Sequence, residues 1–488
     1  MTAELASPAG RDDVEGAALS LREEWDADLR SADPLRFPEY RAPAAADESV
    51  RTGVVELDGV EAALVECRFD RHGGTMGVVA GERIVRAFRR ATDRRLPVVA
   101  LVASGGARLQ EGMFSLVQMG RTASAVADHA AAGLLSAAVL RSPTTGGVYA
   151  SWASLTDLRA AEPSATIGFG GPRVVAQVTG SYPPATSHTA ESAHAHGLVD
   201  ALVARPDQRS WLAAAIGAAP GAALRVPPGR PRYPDAWPRP ATTRADDEPR
   251  DAAAGGAWTA VTGARAASRP SGLEWAAMLT DGWVELRGTD RGVRAGLATL
   301  DGDRVVVVAM DRHGNPHPGP AAFRLAQRAI RLADRLGLPV LTLVDTPGAD
   351  PSPPSEAGGV AAEIARTLLA AAELRTASVG LVVGEGGSGG ALALAHTDRL
   401  LVLRGAVFSV IGPEAGAAIL YRDASRAPEL AASFRLTAGE LARAGLVDEV
   451  VDEKPAAVRA AVLAALATAR PGDRTTRTTR ATASALAR

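Results

Sequence analysis

The chain has 488 residues, 47% hydrophobic and 22% charged, with a formal net charge of −2. That length supplies several globular cores. The near-neutral balance gives no electrostatic footprint for nucleic acid or an anionic membrane surface, and no apolar run is long enough to cross a bilayer.

Residues 1–50 read as a peripheral extension. Its start, MTAELASPAGRDDVEG, is polar and partly acidic, unlike a secretory signal, so the expected location is the cytoplasm. One amphipathic helix is expected over Leu19–Leu29. The first half then presents Leu57-Asp58-Gly59, Asp70-Arg71-His72-Gly73 and an Arg-rich amphipathic helix from Glu82 that ends at Leu96-Pro97. A β-branched run into a glycine turn follows (VVALVASGG), then a second helix and strand. After these come Gly146-Gly147, the unit ATIGFGGP from Ala165 and a close on Gly197-Leu198-Val199-Asp200. A Pro-, Arg- and Asp-rich stretch, Arg225–Gly256, suits a linker.

The second half repeats the landmarks in order: Leu300-Asp301-Gly302, Asp311-Arg312-His313-Gly314, an Arg-rich helix from Ala321, and Leu338-Pro339 with VLTLVDTPG. Gly389-Gly390, AVFSVIGP from Ala406 and Gly445-Leu446-Val447-Asp448 complete the series. Ordered repetition of this kind marks an internal duplication. Strands alternating with helices imply βαβ units and parallel sheets, hence two related α/β domains. The expected organisation is an extension over 1–50, domains over 51–206 and 257–470 joined by a linker over 207–256, and a frayed tail over 471–488.

Residues Gly384–His396, GEGGSGGALALAH, admit three readings. A dinucleotide fingerprint needs an acid roughly 20 residues on; Asp398 comes too early, and the first half has no G-x-G-x-x-G. A serine elbow at Ser388 needs a downstream histidine and carboxylate; His396 is the sole later histidine and lies on the same predicted helix. What both halves retain is a glycine pair between strand and helix. It leaves bare N–H groups that could hold an oxyanion, or it serves close helix–strand packing.

Cys67 is the sole cysteine, which excludes internal disulfides and a cysteine-based zinc site. His194 and His196 read as surface residues near a helix end rather than metal ligands. Lys454 is the sole lysine, so there is no P-loop. It lies in VVDEKPAAV, not in a biotinyl turn, so any biotin arrives on another protein.

Four stretches of the first half resemble the β subunit of bacterial acetyl-CoA carboxylase carboxyltransferase. They are Val102-Ala103-Ser104-Gly105-Gly106-Ala107-Arg108-Leu109-Gln110-Glu111 and on through Thr122, Pro143–Val148, Ala161-Glu162-Pro163 and Ile167–Arg173. Asp345-Thr346-Pro347-Gly348-Ala349, Gly384–Ala391 and Ser409–Glu414 resemble the α subunit. The chain is thus similar to a β–α fusion over residues 52–205 and 257–455. The resemblance implies two duplicated crotonase-like ββα-spiral domains. A CoA thioester would be bound mainly by the first and biotin by the second, at an interface between protomers of a homodimer or larger homo-oligomer. It implies oxyanion donors at Gly146 and Gly147 for the thioester, and at Gly389, Gly390 and Ala391 for the biotin ureido carbonyl. Ser104, Gly105, Gly106, Ala107, Arg108, Phe169, Gly170 and Gly171 fall on the acyl-CoA side. Gly348, Gly386, Gly387, Ser388, Ile411 and Gly412 fall on the biotin side. The implied partners are a biotin carboxyl carrier protein and a biotin carboxylase, and the implied reaction carboxylates a short acyl-CoA, acetyl-CoA first. The chemistry needs no side-chain base.

Departures from the family leave alternatives open. The β subunit's four-cysteine zinc ribbon is impossible here, and Ala349-Asp350-Pro351-Ser352 and Asp311-Arg312-His313-Gly314 replace familiar runs. A biotin-independent malonyl decarboxylase or a silent acyl-CoA-binding scaffold fits the same glycines. Arg108 either steadies the loop beside the CoA pocket or pairs with Glu111, and Arg173 poses a similar choice. Asp345 is expected to cap a turn, Glu385 and Glu414 to support the second glycine site, and His72 and His313 to share a turn role.

Overall fold

The computed structural model describes residues 19–219, 256–286 and 288–487. It contains two eight-stranded sheets. The first holds β1 (Glu23–Trp25), β2 (Val50–Leu57), β3 (Val60–Cys67), β4 (Val98–Ser104), β5 (Ser136–Thr145), β6 (Leu158–Ala161), β7 (Ile167–Gly168) and β8 (Ala201–Leu202). The second holds β9 (Gly282–Leu286), β10 (Val293–Leu300), β11 (Asp303–Met310), β12 (Val340–Thr346), β13 (Ser378–Gly387), β14 (Arg399–Leu403), β15 (Val407–Ser409) and β16 (Glu449–Val451). The orders are β1-β2-β3-β4-β5-β6-β8, with β7 on β5, and β9-β10-β11-β12-β13-β14-β16, with β15 on β13. Each strand of the first sheet has its counterpart eight places later.

The recurring sequence landmarks have local causes. Asp58-Gly59 and Asp301-Gly302 are two-residue hairpin turns, with φ of 49° and 88° in the first and 55° and 84° in the second. Positive φ at both positions matches the strand twist and selects Asp-Gly. The Arg-rich helices, Val78–Arg94 and Pro320–Leu336, are each 17 residues long and bury one apolar stripe. Ser136 and Ser378 open the central strands, each donating N–H and Oγ to one aspartate, Asp157 or Asp398. The Gly-Leu-Val-Asp runs end in Asp200 and Asp448, whose Oδ2 atoms accept the Arg159 and Leu400 N–H groups at 2.7 Å.

The halves pack on each other through the Gln118–Ala131 and Val360–Glu373 helices, and one apolar core runs across both. The helix Gln208–Ala215 covers the other face of the first sheet with Leu212 and Ala213. The stretch expected as linker therefore begins as packed structure; residues 220–255 lie outside the described residues.

Three peripheral expectations are corrected. Leu19–Leu29 is no helix: Glu23–Trp25 adds an edge strand to β2, and Leu19 and Trp25 are buried. Pairing with β2 and burial of Leu19 and Trp25 outweigh an isolated helix of this length, which is marginal in water. The extension is also not peripheral, since Leu35 and Phe37 enter the core and the Phe37 and Phe434 rings lie 6.3 Å apart. The tail is not frayed: Asp473–Ala485 is a helix with Arg474 and Arg477 buried. Arg477 donates to the Thr397 carbonyl at 2.7 Å, and to the Asp398 carbonyl and Asp448 Oδ2 at 2.8 Å each. No helix among the described residues is long and apolar enough to cross a membrane.

Replacing Arg477 would strip buried acceptors of their donors. Arg477→Ala is expected to cost roughly 3–5 kcal/mol of folding free energy, read as a lowered urea midpoint.

Candidate active site

Each half builds the same turn where its central parallel strands end. The Ser104 and Thr346 hydroxyls accept the N–H of Gly106 at 3.0 Å and of Gly348 at 3.1 Å. Those two glycines have φ of 103° and 150°, a region that L side chains rarely adopt. The turn carries Ala107 to the glycines after β5, and Ala349 to those after β13. A Cβ built on Gly147 would lie 3.4 Å from the Ala107 nitrogen, and one on Gly390 2.7 Å from the Ala349 nitrogen.

β5 runs into Gly146 (φ 62°) and β13 into Ser388 (φ 57°). Register pairs Ser104 with Thr144 and Thr346 with Gly386. Gly146 therefore corresponds to Ser388, and Gly147 to Gly389. Matching by glycine alone misplaces this by one residue, because a serine holds the left-handed turn in the second half.

The amides divide. Gly146 N–H donates to the Phe169 carbonyl at 3.0 Å, so it is not the free donor expected of it. The N–H groups of Ala107 and Ala349 find no backbone acceptor among the described residues, and those of Gly147 and Gly389 lie in the first turn of a helix, where an N–H has no partner within the helix. Buried against nothing, such groups would be costly; beside a cavity, as for Ala107, Gly147 and Ala349, they are ready for an anion.

Both turns open on one cavity of about 640 Å³. Its wall includes Gly105, Ala107, Arg108, Gly146, Gly147, Phe169, Gly170 and Gly171 from the first half, and Gly348, Ala349, Ser388, Ile411 and Gly412 from the second. Ser104, Gly106, Gly386, Gly387, Gly389, Gly390 and Ala391 are not on it. Gly106 packs on Gly146, Gly386 on the Phe408 ring, and Gly387 on the Pro347 carbonyl, where a Cβ would come within 2.0 Å. Met119 lies between the two helix starts. Its Sδ is 3.1 Å from a Cβ position on Gly147, and its Cε is 2.8 Å from one on Gly389. The sequence reading missed Met119 and Ala349, although Ala349 was findable as the repeat partner of Ala107.

Charged groups brace this backbone. Arg108 is buried and bonds Glu48 through Nη2 and Glu111 through Nη1 at 3.2 Å. Burial alone would lower its pKa, but the two carboxylates outweigh it and push it up. Glu111 also accepts the Val78 N–H at 2.5 Å and the Tyr40 hydroxyl at 2.8 Å. Arg108 thus meets both expectations: it is an ion-paired residue that holds the pocket loop. Arg265 joins Glu385 and Glu414, donating through Nε at 2.7 Å and Nη2 at 2.6 Å to the first and through Nη1 at 2.5 Å to the second. It therefore offers little free donor capacity to a ligand. The side chain of Arg173 lies outside the described residues. His72 reaches the cavity wall and His313 does not.

Asp345 caps no turn. It is buried at the penultimate position of β12, accepts the Glu385 N–H at 3.2 Å, and lies 3.3 Å from Arg312 Nε. Burial pushes its carboxyl up to about 6. Ser388 has the left-handed turn of a nucleophile elbow, but no histidine bonds it among the described residues. His396 is buried at the far end of the helix, 3.4 Å from Ser124 Oγ, and burial holds it down at about 3. His194 and His196 are exposed, and no described cluster of His, Cys, Asp or Glu could hold a metal ion.

Residues 253–471 match the family model for acetyl co-enzyme A carboxylase carboxyltransferase-like domains. Over 459 residues, 89% of this chain and 80% of the other, the sequence is 43% identical to the acetyl-coenzyme A carboxylase carboxyl transferase subunits beta/alpha of Salinispora arenicola. The chain belongs to the acyl-CoA carboxylase carboxyltransferases. It is also 37% identical to a "Probable biotin-dependent acyl-coenzyme A carboxylase beta3 subunit" of Mycobacterium bovis, over 91% of this chain and 86% of the other. Among solved structures, the transcarboxylase 12S core aligns over 93% of this chain and 88% of its own at 21% identity, with a TM-score of 0.39.

Within this single chain both walls of the cavity are present, because the two interfacial helices bring the halves' strand ends together.

Gly106→Ala would force its Cβ to within 2.9 Å of the Gly146 Cα at a strained φ. Displacing the turn by about 1 Å is expected to cut carboxyl-transfer kcat roughly 100-fold, with circular dichroism showing the fold retained. Asp345 has its folded pKa raised, so its contribution is present below its ordinary pKa of about 4 and lost as pH rises through about 6. Asp345→Asn should therefore gain stability relative to the parent between pH 4 and 7, by about 3 kcal/mol, measured by urea unfolding across that range.

Proposed function

We propose that this carboxyltransferase moves CO2 from carboxybiotin on a separate carrier protein to the α-carbon of a short acyl-CoA, acetyl-CoA first, in the cytoplasm. The observation that carries the reading is that the two sets of unpaired main-chain amides, Ala107 with Gly147 and Ala349 with Gly389, belong to turns that open on one cavity. Biotin supplies the carboxyl group and the nitrogen that takes up the α-proton. The chain's own residues do the rest. Ala107 and Gly147 donate to the thioester oxygen as enolate charge develops, and Ala349 and Gly389 donate to the ureido oxygen. One oxyanion donor of this kind is worth roughly 3 kcal/mol in a transition state. Gly147 and Gly389 sit at helix starts, where the backbone dipole favours negative charge.

The fit to these groups rests on chemistry present in the chain. The cavity holds main-chain donors and apolar walls such as Val174, Ile411 and Leu420. Its arginines are neutralised by Glu48, Glu111, Glu385 and Glu414. Two histidines reach its wall, His72 and His317, and the Nδ1 of His317 lies 3.1 Å from the Gly348 carbonyl. The partners proposed are a biotin carboxyl carrier protein, a biotin carboxylase and further copies of this chain.

Run in reverse with free biotin, the protein should consume malonyl-CoA only when biotin is present. Malonyl-CoA loss without biotin would instead identify a decarboxylase. No turnover of malonyl-, methylmalonyl- or longer carboxyacyl-CoA under either condition would sink the proposal.

A further inference from the structure

Glu356 lies in the short helix Pro353–Ala357 of the second half, with the residue only 7% exposed. Its carboxylate crosses to the first half. The Phe169 N–H donates to Oε1 at 2.7 Å and Oε2 at 2.9 Å, and the Gly170 N–H donates to Oε1 at 2.9 Å. His188 Nε2 stands 3.5 Å from Oε1. The Phe169 carbonyl, one peptide further, accepts the Gly146 N–H at 3.0 Å. Gly146 in turn precedes Gly147, whose amide is free.

A continuous chain of hydrogen bonds therefore runs from a second-half side chain to the first-half donor turn. Carboxylate-to-amide bonds are charge-assisted and stronger than neutral ones. They also explain why the Phe169 and Gly170 amides, expected on the acyl-CoA side, are not available to a ligand. The arrangement is one-sided. The matching short helix of the first half, Gly112–Leu116, packs on β15 with buried Met113 and Phe114 and contains no acid. Among the described residues, no acid of the first half bonds the second-half turn in this way.

We propose that Glu356 is a positioning residue for the thioester-side donors, through which the biotin-side half holds the acyl-side half in its working geometry. This rests on reading Ala107 and Gly147 as the thioester donors. In Glu356→Gln, one amide keeps an acceptor and the other faces an NH2 group. The full-length variant is expected to lower kcat for carboxyl transfer roughly 10- to 100-fold, with KM for acyl-CoA little changed. CO2 release from carboxybiotin in the absence of acyl-CoA, which uses the other turn, should stay at the parent rate. Hydrogen exchange followed by mass spectrometry should show faster exchange in peptides covering Gly146 and Phe169–Gly170. Should Glu356→Gln fail to fold, Glu356→Asp, which retracts the carboxylate, serves the same comparison.

Unchanged exchange at those peptides overturns the proposal, and so does an equal fall of both reactions, which marks a general structural role. Faster exchange with carboxyl transfer untouched overturns it in a different way, because the thioester assignment itself would then be wrong.

Discussion

The structure depends on backbone lying against backbone at the end of the first sheet. Gly106 and Gly146 meet with their Cα atoms so close that a Cβ on either would come within 3.0 Å of the other. That contact sets Ala107 beside Gly147 and leaves two N–H groups facing the cavity. A side chain at either position would separate the strands' ends and dissolve the pair of donors. In the second half Gly348 and Ala349 reach the cavity wall, Gly389 lies behind it against Met119, and Pro347 is pressed on Gly387.

Unpaired amides are a cost that the rest of the molecule offsets. A donor left without a partner forfeits roughly 1–3 kcal/mol, so the four free groups need rigid support. Arg108 with Glu48 and Glu111, Arg265 with Glu385 and Glu414, and Glu356 with Phe169 and Gly170 supply it. Each is a charge-assisted cluster that ties a loop at the cavity to an element elsewhere in the sequence. Ion pairs of this depth contribute little net stability, and here their role is geometric. Met119, held between Gly147 and Gly389, keeps the two donor turns at a set separation with an adaptable apolar side chain.

Much of this was legible in the sequence. The duplication, the hairpin turns at Asp58-Gly59 and Asp301-Gly302, the paired Arg-rich helices and the location of both glycine sites follow from local chemistry. So does rejection of the serine elbow, since His396 is too far along its helix. The misreadings share a cause. Leu19–Leu29, the tail and Asp345 take their structure from partners remote in the chain: β2 for the first, Asp398 and Asp448 for the second, Glu385 and Arg312 for the third.

The sequence by itself determined the repeated α/β plan and the family, because turn glycines, amphipathic period and motif spacing act over a few residues. Only the tertiary structure decided which amides are free. Gly146 looks as available as Gly147 in one dimension, yet the Phe169 carbonyl, 23 residues on, accepts its hydrogen bond. The same holds for the meeting of both sites in one cavity and for the reach of Glu356 across the halves. Hydrogen-bond satisfaction is a property of neighbours in space, and nothing local to a glycine pair records who those neighbours are.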